Sequence, residues 1–224
     1  MDAAAGDAAV PVVTGDTKVV QKGMGDGVYI TTTGVGVVAE GQELSGDRAR
    51  PGDRIIVSGS IGEHGMAIMA QRESIGFAAP IVSDTAALHG LIAAMRASGA
   101  AIRALRDPTR GGVATTLNEI ARQSGVGMML QESALPVQAE VAAACEFLGL
   151  DPLYVANEGK LLAIVAPEDA DSLLAAMQAH PLGQRAALIG TVHRDAQHFV
   201  QMTTAFGGRR IVDWLTGEQL PRIC

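Results

Sequence analysis

The apolar positions change period along the chain, and the changes divide it. Val12, Val13, Val19 and Val20 bracket the polar run Thr14-Gly15-Asp16-Thr17-Lys18. β-Branched residues on either side of a Gly-Asp-Thr-Lys turn predict a strand–turn–strand. Val28–Thr33 and Val35–Ala39 follow the glycine loop at 23–27, and their β-branched content predicts two more strands. The glycine spacing there is not that of a dinucleotide-binding loop, because strand follows it rather than helix. At Arg50-Pro51-Gly52-Asp53 the pattern breaks, and a domain boundary is expected.

Beyond the break, short apolar strands alternate with stretches of helical spacing. Arg54–Ser58, Ile102–Leu105, Gly127–Gln131 and Leu161–Val165 read as strands, and Ala187–His193 and His198–Thr203 as a strand pair. Helices are expected over Met66–Glu73, Ala86–Ala97, Val113–Gln123, Val137–Leu148 and Ala170–Ala179. Ser83-Asp84-Thr85 resembles an N-cap for the second of these, and Leu117, Ile120 and Ala121 mark the inward face of the third. His64 stands at the entry of the first, where it reads either as a capping polar residue or as a functional one.

Composition narrows the function classes. A net charge of −7 in 224 residues, with 3% aromatics, argues against a nucleic-acid surface. No apolar run approaches the roughly 20 residues of a membrane span, and no basic-then-apolar secretory leader is visible. Two cysteines, Cys145 and Cys224, are too few for a disulfide framework. This usage suits a reducing cytoplasm, with Cys145 expected as a small buried hydrophobe of its helix.

Four stretches carry chemistry. Asp16 offers a carboxylate for a hard metal ion, Thr17 a hydroxyl and Lys18 an ammonium for phosphate. Arg106-Asp107-Pro108-Thr109-Arg110-Gly111-Gly112 runs from a strand into a helix N-terminus, where backbone amides and the positive dipole end converge on one spot bordered by two arginines. Such a loop binds phosphate or carboxylate. Asn157-Glu158-Gly159 reads as a turn presenting a carboxylate from the end of a hairpin. Finally, Pro221-Arg222-Ile223-Cys224 ends in a thiol, which is either a frayed end or a deliverable nucleophile.

These four stretches, in this order, resemble the carbamoyl dehydratases of hydrogenase maturation, within the superfamily of aminoimidazole ribonucleotide synthetase and selenophosphate synthetase. The resemblance covers nearly the whole chain. It implies an α+β fold: a remnant of the synthetase-type N-terminal domain over 1–50, a layered α/β C-terminal domain over 51–205, and a flexible tail over 206–224. In that family a longer N-terminal half precedes the first motif, with aspartates that hold magnesium and strands that build a homodimer interface.

The implied activity is ATP-dependent dehydration of a carbamoyl group on the terminal cysteine to a thiocyanate, the source of cyanide for the iron of nickel–iron hydrogenase. Cys224 would carry the group and Glu158 would be the base. Asp16, Thr17 and Lys18 would serve ATP, with Asp16 the magnesium ligand. Arg106, Asp107, Thr109 and Arg110, with the amides of Gly111 and Gly112, would line the phosphate and tail channel. The implied partners are a carbamoyltransferase as donor and an iron-carrying maturation complex as acceptor. The alternatives are another ATP-dependent synthetase of the superfamily, which has no use for a terminal cysteine, or a non-catalytic carrier that docks its partners through the tail.

Overall fold

The structure, a computed structural model, describes residues 1–25, 27–38, 40–41, 43–72 and 80–215. The chain divides into two units, Met1–Glu43 and Leu44–Cys224. In the first, one short helix, α1 (Asp2–Asp7), is followed by backbone that joins no ladder. The strands expected over Val12–Val20, Val28–Thr33 and Val35–Ala39 are not formed among the described residues. β-Branched residues favour a pleated surface only where cross-strand neighbours cover it. Among the described residues none do: Val35 and Val37 are fully solvent-facing.

The second unit is built on a seven-stranded sheet. Its strands are β1 (Arg54–Val57), β2 (Ile102–Arg106), β3 (Gly127–Gln131), β4 (Leu162–Val165), β5 (Ala187–His193), β6 (Val200–Thr203) and β7 (Arg209–Ile211). Their order is β2-β4-β1-β5-β3-β6-β7. Every pairing is antiparallel except β3 with β6.

Alternation along the central strands feeds two cores. Ile55, Val57, Leu162 and Ile164 face α4 (Gly112–Ser124), which packs Val113, Leu117, Ile120 and Ala121 onto them. Ile56, Ala163 and Val165 face the opposite layer, α3 (His89–Ala97) and α6 (Ala170–Gln178), through Leu91, Met95, Leu173 and Met177. A sheet covered on both faces explains why β1 and β4 read as unbroken apolar runs. A third, smaller cluster joins α2 (Glu63–Arg72) to α5 (Ala139–Leu148) through Met66, Val141, Ala144 and Cys145. The layered α/β domain expected from the sequence is present.

Three readings of this unit are corrected. β5 and β6 are not a strand pair: β3 lies between them, antiparallel to β5 and parallel to β6. The connection crosses that gap through Asp195, whose carboxylate accepts the amides of Gln197 (3.0 Å) and Phe199 (3.1 Å). Second, β7 lies inside the stretch read as a tail. The Arg210 guanidinium donates to Asp151, and the Asn118 side chain donates to the Val212 carbonyl at 2.8 Å, fastening this segment to the loop after α5 and to α4. Third, α3 begins at His89, not Ala86, and no side chain caps it.

Asp53 precedes β1 and is 2% exposed; its Oδ2 accepts the Arg50 amide at 2.8 Å, and Arg103 lies 3.8 Å away. Burial raises its pKa above the ordinary carboxylate value, against the lowering effects of the Arg50 amide and the Arg103 charge. A raised folded-state pKa means that the stability Asp53 contributes is full at low pH and lost as pH rises through the folded value. Asp53→Asn keeps the amide acceptor and does not titrate. Its stability relative to the parent should therefore climb as pH goes from about 3.8 toward neutrality, read by urea unfolding at a series of pH values. A flat difference would contradict the assignment.

Cys145 is as buried as expected, at 1% exposure. Burial, and secondarily the negative charge of Asp151, pushes its thiol pKa up to about 11. An alkylating reagent at pH 8 should leave Cys145 unmodified until denaturant is added, as peptide mass mapping would show.

Candidate functional site

The site is assembled around one side chain. Asn157 is fully buried, in the segment before β4. Its Oδ1 accepts the Gly62 amide at 2.8 Å; its Nδ2 donates to the carbonyls of Pro108 and Val155, both at 3.0 Å; its backbone amide donates to Pro108 at 3.1 Å. A carboxamide is the one neutral side chain that offers both an acceptor and two donors to such a junction. Through it the entry to α2, the loop from β2 to α4 and the segment before β4 meet. The turn is therefore not the solvated end of a hairpin; the sheet neighbours of β4 are β2 and β1.

The β2–α4 loop is shaped by its glycines. Gly111 and Gly112 have φ of +70° and +59°. A Cβ on Gly112 would come within 2.5 Å of the Leu153 carbonyl and 2.6 Å of that of Val155. Glycine is required there so that α4 can start against the 153–155 backbone. One expectation is revised. The Gly112 amide already donates to the Thr109 carbonyl at 3.0 Å, so it is not available to an anion. Arg106 lies half-exposed, 3.1 Å from Glu119 and 3.6 Å from Asp107, beside a cleft of about 150 Å³ with Leu44, Ser45 and Gln123. Thr109 is half-buried and Arg110 exposed.

Glu158 follows Asn157 and is half-buried; its Oε1 is shielded from solvent and has no hydrogen-bond partner among the described residues. A carboxylate held without a partner in a polar junction can accept a proton from a bound substrate. Its backbone amide donates to Asp84 Oδ1 at 3.1 Å, and Lys160 Nζ lies 3.0 Å from Asp84 Oδ2. Gly159 packs against the Asp84 carbonyl so closely that a Cβ would sit 1.8 Å from it. Ser83-Asp84-Thr85 thus braces the site instead of capping α3. Ser83 Oγ also meets His64 Nδ1 at 2.8 Å and Thr85 Oγ1 at 2.8 Å. His64 is 8% exposed, and its Nε2 has no hydrogen-bond partner among the described residues.

At the same helix entry, Glu63 is 4% exposed. Its Oε1 accepts from Ser60 Oγ and from Gln138 Nε2 at 2.7 Å. Sequence reasoning left Asp84, Glu63 and Gln138 out of the site, because the Asp84–Glu158, Glu63–Gln138 and Asp84–Lys160 contacts span 74, 75 and 76 residues and periodicity carries no such information.

The remaining candidates belong to other parts of the chain. Asp16, Thr17 and Lys18 lie in the N-terminal unit, exposed and without secondary structure. Among the described residues no group of three or more His, Cys, Asp or Glu could hold a metal ion. Cys224 and its Pro221-Arg222-Ile223 approach lie outside the described residues. No described helix is long and apolar enough to cross a membrane.

The architecture and junction define a class. Residues 50–203 match the family described as AIR synthase related protein, C-terminal domain, and the chain belongs to it. It is 69% identical over 224 residues to the carbamoyl dehydratase HypE of Azotobacter vinelandii, covering all of this chain and 66% of that protein. Two solved structures superpose closely. HypE in complex with ATP has a TM-score of 0.88 at 45% identity, covering 99% of this chain and 68% of that one. HypE from a HypE–HypF complex has a TM-score of 0.88 at 44% identity, covering 96% and 70%. The chain belongs to the HypE family, and it spans about two thirds of the length of the A. vinelandii relative.

The junction has a measurable weight. Asn157→Ala removes the acceptor of the Gly62 amide and one of the two Asn157 donors to the Pro108 carbonyl, in a dry setting. A loss of about 2–4 kcal/mol in unfolding free energy is expected, measured by urea titration. A loss under about 0.5 kcal/mol would show that the three segments are held otherwise.

Proposed function

We propose that this chain takes part in ATP-dependent dehydration of an S-carbamoyl group on Cys224 to a thiocyanate, in nickel–iron hydrogenase maturation. The observation that carries the reading is Glu158: a half-buried carboxylate with an unpartnered oxygen, held beside the β2–α4 loop by Asn157, in a chain of the HypE family. The A. vinelandii relative is named a carbamoyl dehydratase, and HypE proteins have been solved with ATP and with HypF.

The chemistry balances as follows. The thiocarbamate oxygen attacks the γ-phosphorus of ATP and releases ADP. The nitrogen gives up both its protons, one as the imidate phosphate forms and one as the C–O bond breaks, and inorganic phosphate leaves behind S–C≡N. Oxygen is a poor leaving group until phosphorylated, which is why ATP is consumed. Glu158 takes the nitrogen proton in the elimination. Arg106, Thr109 and Arg110 border the departing phosphate with the α4 dipole behind them, and Asp107 orients Arg106. Asp16, Thr17 and Lys18 would contact the nucleotide, and Asp16 would offer one carboxylate toward a magnesium ion that neutralises phosphate charge. A HypF-like carbamoyltransferase supplies the carbamoyl group, an iron-carrying maturation complex accepts the cyanide, and the protein works as a homodimer. ATP and a free thiol suit the cytoplasm.

Glu158→Gln should leave carbamoylation of Cys224 intact and slow the ATP-dependent loss of one water from the adduct by about 100-fold or more. Intact-mass measurement over a time course reads both steps. Turnover at the parental rate would remove Glu158 as the base.

A further inference from the structure

Asp84 sits where two demands meet. Its side chain is 2% exposed, and its two oxygens are divided between neighbours of one turn: Oδ1 accepts the Glu158 amide at 3.1 Å and Oδ2 the Lys160 ammonium at 3.0 Å. Lys160 is itself only 12% exposed, its stem lying 3.0 Å from where a Gly59 Cβ would be. On either side the backbone is fixed by other groups. Asn157 donates to Pro108, and Leu161 exchanges bonds with Ser58 at 3.0 Å each way. Glu158 lies between these anchors, and its amide is held by the Asp84 carboxylate.

Resting on the assignment of Glu158 as base, we infer that Asp84 is the positioning residue for it, acting through the Oδ1 bond to the Glu158 amide, while Lys160 makes the buried Asp84 charge tolerable. A base must stay within about half an ångström of its working geometry, and a misplacement near 1 Å can cost on the order of 100-fold in rate. An amide bond to a carboxylate is stronger than one to a neutral acceptor, which suits a turn that must hold the base in place. Lys160 neutralises a charge that would otherwise be costly to bury.

Changing Asp84 alone would strand the Lys160 ammonium and destabilise the turn for that reason only. The decisive comparison uses two double variants of the full chain, both lacking the ion pair. Asp84→Asn with Lys160→Met retains an amide oxygen for Glu158; Asp84→Ala with Lys160→Met does not. Single-turnover loss of water from carbamoyl-Cys224 is followed by intact mass, alongside the KM for ATP and the extent of carbamoylation. The Asn-containing variant should run within about threefold of the parent. The Ala-containing one should be slower by about 30-fold or more, with KM and carbamoylation unchanged in both. Equal rates in the two variants, whether both fast or both slow, would overturn the inference, since the acceptor would then not be what matters. Glu158→Gln run in parallel separates the causes: parental turnover there sinks the base assignment itself, whereas an inactive Gln variant with equal double variants sinks only the role of Asp84.

Discussion

The arrangement of the site depends on the burial of one carboxamide. Asn157 has no access to water, so its side-chain polar atoms must be met within the protein: Oδ1 by the entry to α2, and Nδ2 by the β2–α4 loop and by Val155 in its own segment. Removing a partner from such a group costs more than making the bond gains, because the orphaned group stays dry. That asymmetry ties three loops, far apart in sequence, into one register. The apolar core sets where the strands and helices lie; the carboxamide sets where their connections lie relative to one another. The chemistry resides in those connections.

How much of this was legible beforehand depends on the range of the interaction. The stripe Leu117, Ile120 and Ala121 was readable because a helix repeats its face within one turn, and these residues do pack on the sheet. Cys145 was readable as buried for the same reason. The β2–α4 loop was visible because its glycines and arginines lie within seven residues. By contrast, Ser83-Asp84-Thr85 has the composition of a helix cap, and its partners Glu158 and Lys160 could be found only through the fold. Asn157 likewise has the composition of an exposed turn. Local chemistry permits both readings, and only burial distinguishes them.

The strand errors have a common origin. Valine-rich stretches near the N-terminus have the propensity for strand, and among the described residues they join no ladder. β5 and β6 are adjacent in sequence, yet the place beside each is filled by β3. Propensity describes what a segment tolerates; pairing is decided by what else is available to cover it. The charged groups follow the same logic. Arg106 is answered by Asp107 and Glu119, and Arg210 by Asp151, so no described charge among these stands for a function without its counter-ion being weighed.

The order of the strands also has a consequence for how the protein is made. β1 forms at Arg54–Val57, but its two neighbours are Leu162–Val165 and Ala187–His193, with no closer strand beside it. During synthesis, which proceeds from the N-terminus, Ile55, Ile56 and Val57 leave the ribosome long before either neighbour exists. Their apolar side chains and unpaired backbone must wait, exposed to any other strand they meet. A strand near the centre of the sheet is thus its first part translated, and no partner for it exists until Leu162–Val165 has been made. Folding of this unit should be slow for its size, and dependent on holding chaperones while the nascent chain is incomplete.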